Sequence, residues 1–303
     1  MSEAPTTWTI RSVLQWTQGF FKDKGLDTPR LDAELLIGDA LKLNRVRLYM
    51  DIDRPLDDAE LAGIRERVRR RGRHEPVAYI TGTRGFWQLD LAVDKRVLIP
   101  RPDTERLVEL ALEVLKGREA PRVVDVGTGS GAIALAVASE RKDAVVLAID
   151  VSPDALAVAQ ANAEKAGLTN VTFARGDLLA PARDFRPDVV LSNPPYIDSA
   201  ECERLMPDVR HFEPRLALDG GPDGLVVVRR LVREAVALLP ADGALLVEIG
   251  HDQGDRCAEL FSAAGFAEVA VKKDYGGRDR VVVAHVARDQ HRPAPADPDQ
   301  SAQ

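Results

Sequence analysis

The sequence predicts an α/β chain: a mainly parallel sheet that ends in an antiparallel hairpin, preceded by a small helical bundle. Three observations predict it. From about Leu107, short apolar strand-like runs alternate with helical segments, as in a parallel sheet covered on both faces. The last two strand-like runs are joined by residues 274–279, too short for a helical crossover, so they pair antiparallel. Residues 8–72 carry only helical spacing. At 303 residues, 45% hydrophobic and 29% charged, the chain fits a globular protein of about two domains.

In the N-terminal region Ile10, Val13, Leu14, Phe20 and Phe21 recur at roughly helical spacing. So do Leu31, Leu35, Leu36 and Leu41, and then Leu61, Ile64 and Val68. Pro29 and Pro55 punctuate these runs and Asp57 is placed to cap a helix, so four or five short helices are expected. Pro76-Val77-Ala78-Tyr79-Ile80-Thr81-Gly82 and Phe86-Trp87-Gln88-Leu89-Asp90-Leu91-Ala92-Val93 read as extended, with Gly82 and Gly85 at a turn. They predict a hairpin connector over 76–100, with Phe86 and Trp87 packed between the domains. Strands are then expected at 123–126, 145–149, 171–174, 189–192 and 245–249, and helices at 104–116, 131–140, 153–166, 223–239 and 252–264. The closing hairpin takes 267–273 and 280–286, and residues 289–303, rich in Pro, Asp and Gln, read as a disordered tail.

The formal charge is −7. Residues 1–73 hold 14 Lys/Arg against 12 Asp/Glu, which leaves a net −9 for the rest. An acidic main body argues against tight binding to a phosphate backbone, and no direct nucleic-acid binding is expected. The two cysteines, Cys202 and Cys257, have no His/Cys cluster beside them, which speaks against a zinc site or a disulfide framework. His211 and Glu213 lack a third ligand at metal spacing, so no metal site is expected. No secretory signal is read at the N-terminus, and the longest apolar run, 132–138, is far short of a membrane span. A cytoplasmic location is expected.

Val123-Val124-Asp125-Val126-Gly127-Thr128-Gly129-Ser130-Gly131-Ala132 is a strand running through a glycine-rich turn into a helix. Glycines let the backbone turn tightly and approach a ligand without a Cβ in the way. The next strand ends at Asp150, 19 residues after Gly131, where a carboxylate can accept from both hydroxyls of a ribose. The spacing is G-x-G-x-G rather than the dinucleotide G-x-G-x-x-G, and the chain ends in a hairpin. Both favour S-adenosylmethionine over NAD. Asp177 and Leu178 follow the third strand: Asp177 accepts from an adenine amino group or is a loop residue, and Leu178 packs on the purine or belongs to the core.

Asn193-Pro194-Pro195-Tyr196 follows the fourth strand, at the same sheet edge as the glycine loop. Two prolines fix the backbone and remove two donors, leaving carbonyls to accept. With the Asn193 side-chain oxygen and the flat Tyr196 ring, the loop suits a planar NH₂ group conjugated to a carbonyl or ring. Such a nitrogen is a poor nucleophile. Accepting from both of its hydrogens favours the tetrahedral geometry that frees its lone pair.

The chain resembles the release-factor glutamine N(5)-methyltransferases, class I methyltransferases that modify the glutamine of the Gly-Gly-Gln loop in peptide-chain release factors. The resemblance spans residues 29–286. It rests on Pro29-Arg30-Leu31-Asp32-Ala33-Glu34-Leu35-Leu36, Glu75-Pro76-Val77-Ala78-Tyr79-Ile80-Thr81-Gly82 and Leu98-Ile99-Pro100-Arg101-Pro102-Asp103-Thr104-Glu105. The glycine loop, Asn193–Tyr196, Phe212-Glu213-Pro214-Arg215-Leu216-Ala217-Leu218 and Asp274-Tyr275-Gly276 complete it. It implies a Rossmann-like class I methyltransferase sheet over 101–288 and a helical substrate-docking domain over 1–75. It also implies that Gly127, Thr128, Gly129, Ser130, Gly131, Asp150, Asp177, Leu178 and Asn193 hold S-adenosylmethionine. Asn193, Pro194, Pro195 and Tyr196 would hold the substrate glutamine, with Asn193, Pro194 and Tyr196 catalytic. Some family members carry an aromatic residue at the position of Leu178, so adenine stacking is expected to be weaker here.

Three rivals remain at this point: an adenine N(6)-methyltransferase that flips its base, a glutamine methylase of a ribosomal protein, and a catalytically silent binding module. Arg65, Arg67, Arg69, Arg70, Arg71 and Arg73 form the main basic stretch, read as a solvated helix face or as a contact for an acidic partner or RNA. Arg101 and Glu105 either line a substrate channel or pair with each other across a helix turn.

Overall fold

The computed structural model describes residues 7–287; the expected tail at 289–303 lies outside the described residues. Helices α1 (Ile10–Asp23), α2 (Pro29–Leu41), α3 (Arg45–Met50) and α4 (Asp58–Arg71) form the N-terminal bundle. Thr9 with Ser12, and Asp57 with Glu60, close reciprocal capping boxes at α1 and α4. The core is Ile10, Val13, Leu14 and Phe21 of α1 against Ala33, Leu36, Ile37, Leu48, Ile64 and Val68.

Helix α2 departs from its expected apolar face. Leu31 and Leu35 are exposed, whereas Asp32 and Glu34 are buried. The reason is ionic pairing. Asp32 accepts from Arg71 at 2.6 Å, and Glu34 accepts from Arg30, Arg45 and the Tyr49 hydroxyl. The arginine stretch is likewise mostly engaged within the fold, not a plain solvated face. Arg67 pairs with Asp39, Arg69 with Glu66, Arg70 with Glu75 and Arg71 with Asp32.

Residues 76–82 are not extended. Val77–Thr81 forms helix α5, which sends Ile80 into the bundle core and Tyr79 against Val93, Val97 and Ile99. Packing on two sides outweighs the strand preference of Val, Tyr, Ile and Thr. Strands β1 (Thr83–Phe86) and β2 (Leu89–Ala92) then pair antiparallel, and their turn is Trp87-Gln88 rather than Gly82 to Gly85. Trp87 adopts φ +55°, its N–H donating to Glu105 Oε1 and its indole N–H to Glu140. Phe86 is buried against α-helices of the main sheet.

The remaining elements are α6 (Glu105–Val114), β3 (Arg122–Val126), α7 (Ala132–Glu140), β4 (Val145–Asp150), α8 (Pro153–Ala166), β5 (Val171–Arg175) and β6 (Val189–Ser192). Then come α9 (Ser199–Cys202), α10 (Pro207–Phe212), α11 (Val226–Leu238), β7 (Ala244–Glu248), α12 (Gly254–Ala264), β8 (Glu268–Lys273) and β9 (Asp279–His285). The short α9 and α10 lie where no helix is expected from the sequence. The sheet order is β5-β4-β3-β6-β7-β9-β8, parallel through β7, with β9 antiparallel to both neighbours.

Successive strand residues alternate between two cores. Val123, Val146, Val189 and Leu246 pack on the face covered by α6 and α7, and Val124, Leu147, Val190 and Leu245 on the face covered by α11 and α12. A buried Asn162 of α8 stitches this body to the hairpin. Its Oδ1 accepts from Ala92 N–H at 2.7 Å, and its Nδ2 donates to the carbonyls of Ala92 and Ser130.

Candidate active site

Strand β3 ends in a loop whose shape comes from backbone bonds to β4. The N–H groups of Gly127 and Thr128 both donate to the Ile149 carbonyl, and Gly129 N–H donates to Asp150 Oδ2 at 2.9 Å. Gly127, Gly129 and Gly131 have φ of +74°, +55° and +86°, where a Cβ is strained. Gly127 and Gly129 line a cavity of about 430 Å³ at the carboxyl ends of the parallel strands. A Cβ added at Gly127 would meet no atom within 4 Å, so it would project into open space.

Thr128, Ser130 and Gly131 do not line that cavity; they build the loop from beneath. Thr128 is buried and donates to Asp125 Oδ2 at 2.7 Å, and the Ser130 carbonyl accepts from Asn162. Gly131 precedes α7, packed against Leu135 and Ala159. Burial pushes the Asp125 carboxyl up to about 7, against the bonds from Thr128 and the Ala134 N–H. Its Oδ1 has no hydrogen-bond partner among the described residues.

Asp150 lines the cavity, held by N–H groups from Gly129 and Ser152, one to each oxygen. A carboxylate has about four acceptor sites, so both oxygens can still take ribose hydroxyls. Asp177 and Leu178 line the same cavity. Leu178 is also packed in the core, and it sits at φ +49°. Asp177 is exposed and ion-paired with Arg230 at 2.6 Å. An adenosine-type ligand fits this donor and acceptor set: a glycine floor with open space above it, a tethered carboxylate, and an apolar wall from Val126, Ile149 and Leu178.

Asn193, Pro194 and Pro195 line the cavity too, so the glycine loop and the planar-amide loop meet in one space. Ser192 Oγ donates to the Val126 carbonyl at 2.8 Å, which ties β6 to β3 just below both loops. Asn193 Nδ2 donates to Thr104 Oγ1 at 3.2 Å, and Asn193 Oδ1 has no protein partner among the described residues. Tyr196 does not line the cavity. Its carbonyl accepts from Gln253 Nε2 at 2.9 Å, and burial, with the nearby Glu248 charge, pushes its hydroxyl up to about 12.

Glu213 lies next in sequence to Pro214, which lines the cavity with Leu216 and Ala217. Its two oxygens accept from Ile99 N–H at 3.2 Å and Arg101 Nη2 at 2.5 Å, which ties residues 99–101 to this segment. Burial raises the Glu213 carboxyl despite the Arg101 charge. Arg101 and Glu105 therefore do not pair with each other: Glu105 accepts from the Trp87 N–H. Arg96, Val97 and Leu98 supply a further wall.

Sequence reasoning missed Asp125, Thr104, Asn162, Arg230 and Glu248. Two of these carry a signal in hindsight: Asp125 stands inside the buried stretch 123–126 of β3, and Glu248 closes the apolar, buried β7. Among the described residues no group of three or more His, Cys, Asp or Glu side chains could hold a metal ion. No described helix is long and apolar enough to cross a membrane.

The family described as the PrmC N-terminal domain matches residues 12–82, and the methyltransferase small domain matches residues 106–208. The release factor glutamine methyltransferase of Geobacter sulfurreducens is 46% identical over 282 residues, covering 93% of this chain and 98% of its own length. That of Moorella thermoacetica is 46% identical over 263 residues, with 86% and 93% covered. In fold, the chain is similar to the hMettl16 catalytic domain, with a TM-score of 0.55, 16% identity, and 69% and 79% of the two chains covered. The strand order, the shared cavity and relatives matched over nearly their whole length agree: the chain belongs to the release factor glutamine methyltransferases, with a class I methyltransferase fold.

Proposed function

We propose that the chain methylates the side-chain amide nitrogen of the glutamine in the Gly-Gly-Gln loop of peptide-chain release factors, in the cytoplasm. The observation that carries this is the meeting of Asn193-Pro194-Pro195 with Gly127, Gly129 and Asp150 in one cavity. When bound, S-adenosylmethionine supplies an electrophilic methyl group on a positively charged sulfur. Gly127 and Gly129 would admit it closely, Asp150 would accept from its ribose hydroxyls, and Leu178 would pack on its purine. Thr128, Ser130 and Gly131 would act by shaping the loop.

Asn193 Oδ1 and the Pro194 carbonyl would accept the two hydrogens of the substrate amide. Those bonds favour a tetrahedral nitrogen with its lone pair released from the carbonyl, and they hold it in line for reaction. Pro195 would keep the loop rigid, and Tyr196 would flank the amide from outside the cavity lining. The amide proton becomes acidic only as the new bond forms, so no strong general base is required. In this reading residues 1–75 dock the protein substrate, 76–100 connect, and 101–288 carry the chemistry.

The test incubates the protein with methyl-labelled S-adenosylmethionine, unmethylated release factor and, in parallel, unmethylated DNA. Label is expected on the Gly-Gly-Gln peptide, falling about 100-fold or more in Asn193→Ala. Label on DNA alone would overturn the protein-substrate reading. No label on either, with cofactor bound, would reject release factor as the substrate.

A further inference from the structure

Thr104 occupies the N-cap position of α6, where a threonine oxygen ordinarily accepts from the first turn of the helix. Here it makes no such bond. The side chain is buried, and its hydroxyl instead sits between Asn193, which lines the cavity, and Glu248, which does not. Oγ1 accepts from Asn193 Nδ2 at 3.2 Å, and the hydroxyl faces the carboxyl of Glu248 at the end of β7. Glu248 is almost fully buried, and its Oε2 has no hydrogen-bond partner among the described residues. Its charge is felt by Tyr196, and the charges of Arg280, Asp103 and Arg101 act on it.

A hydroxyl has one hydrogen and two acceptor sites. With its hydrogen turned to Glu248, Thr104 can only accept on the side that faces Asn193. An acceptor at that place selects the NH₂ end of the Asn193 amide and leaves Oδ1 for the other side. Without it the amide can turn over and present hydrogens to a substrate NH₂ group, donor against donor. We propose that Thr104, backed by Glu248, is a positioning residue that fixes the Asn193 amide with its oxygen toward the methyl-accepting nitrogen. The proposal rests on the reading of Asn193 given above.

The experiment compares Thr104→Val, Thr104→Ser and Glu248→Gln with wild type and Asn193→Ala. The readouts are kcat and KM on release factor, S-adenosylmethionine affinity by calorimetry, and the Asn193 side-chain NH₂ signal by NMR. Thr104→Val is expected to lower kcat about 10- to 100-fold, with Thr104→Ser within about threefold of wild type. Glu248→Gln keeps an acceptor for the hydroxyl and should fall between the two. Cofactor affinity should change by less than about twofold in Thr104→Val, whose residue is outside the cavity lining. The valine change should cost nothing further in the Asn193→Ala background, because it acts through that amide.

A Thr104→Val enzyme at wild-type kcat, or losses that multiply with Asn193→Ala, would overturn the proposal. Thr104→Ala carries the same test should the valine variant not fold. Wild-type protein inactive on release factor would defeat the substrate reading alone. The NMR arm still decides the positioning: the Asn193 NH₂ signal must shift in Thr104→Val and return in Thr104→Ser, and an unchanged signal overturns it.

Discussion

Asp125 shows how one buried carboxyl sets a pH dependence. Burial lifts it from an ordinary 3.8 to about 7, so the folded chain holds the proton more tightly than the unfolded chain. Stability therefore falls as pH rises between those values, and the cost of the charge is fully present above about pH 7. Asp125→Asn keeps an acceptor for Thr128 and for the Ala134 N–H, and it places an NH₂ where Oδ1 has no partner. Urea unfolding is expected to give the variant at least wild-type stability at about pH 8 and a flatter profile down to about pH 5. A profile as steep as wild type would refute this. Glu248, also raised by burial to about 7, keeps part of the slope. At this scale the glycines, Asp150 and the Asn193 loop were legible because each is a local pattern at a strand end. Thr104 was not, because its meaning lies in a partner 89 residues away.

The turn from β3 into α7 separates two uses of glycine. Alanine at Gly127 or at Gly131 would sit in the left-handed region, a strain of about 1–2 kcal/mol in either case. At Gly131 the new Cβ also comes within 3.0 Å of Leu135 and 3.3 Å of Ala159, whereas at Gly127 it meets nothing within 4 Å. Gly131→Ala should therefore lose more stability, and Gly127→Ala more affinity for S-adenosylmethionine. Denaturation and calorimetry on the pair check this, and equal losses in both measurements would contradict it. Most elements were legible from alternation and punctuation, α8 with the same bounds and β6 likewise. Helix α5 was not, because its residues prefer strands and only its two-sided packing decides otherwise. The apolar spacing of α2 misled for a related reason: burying Asp32 and Glu34 turned Leu31 and Leu35 outward.

Across the whole molecule, Arg71 links parts that are distant in sequence. It pairs with Asp32 of α2, donates to the Glu75 carbonyl just before the connector, and lies 3.8 Å from Asp208 of α10. Arg71→Ala leaves Asp32 buried with only the Thr28 hydroxyl among the described residues, and should cost about 3–5 kcal/mol in urea unfolding. A loss below about 1 kcal/mol would mean that the pair behaves as a surface one. The sheet covered on both faces was legible from the sequence, but the β5-β4-β3-β6-β7 order and the ties between bundle and catalytic body were not, since both depend on long-range pairing. Asn162 gives those ties a mechanical consequence. One amide serves the hairpin strand and the floor of the glycine loop at once. Lifting the hairpin would strip the buried Ser130 carbonyl of that donor. Hairpin and glycine loop thus share one side chain, and parting either from it breaks a bond on which the other's position rests.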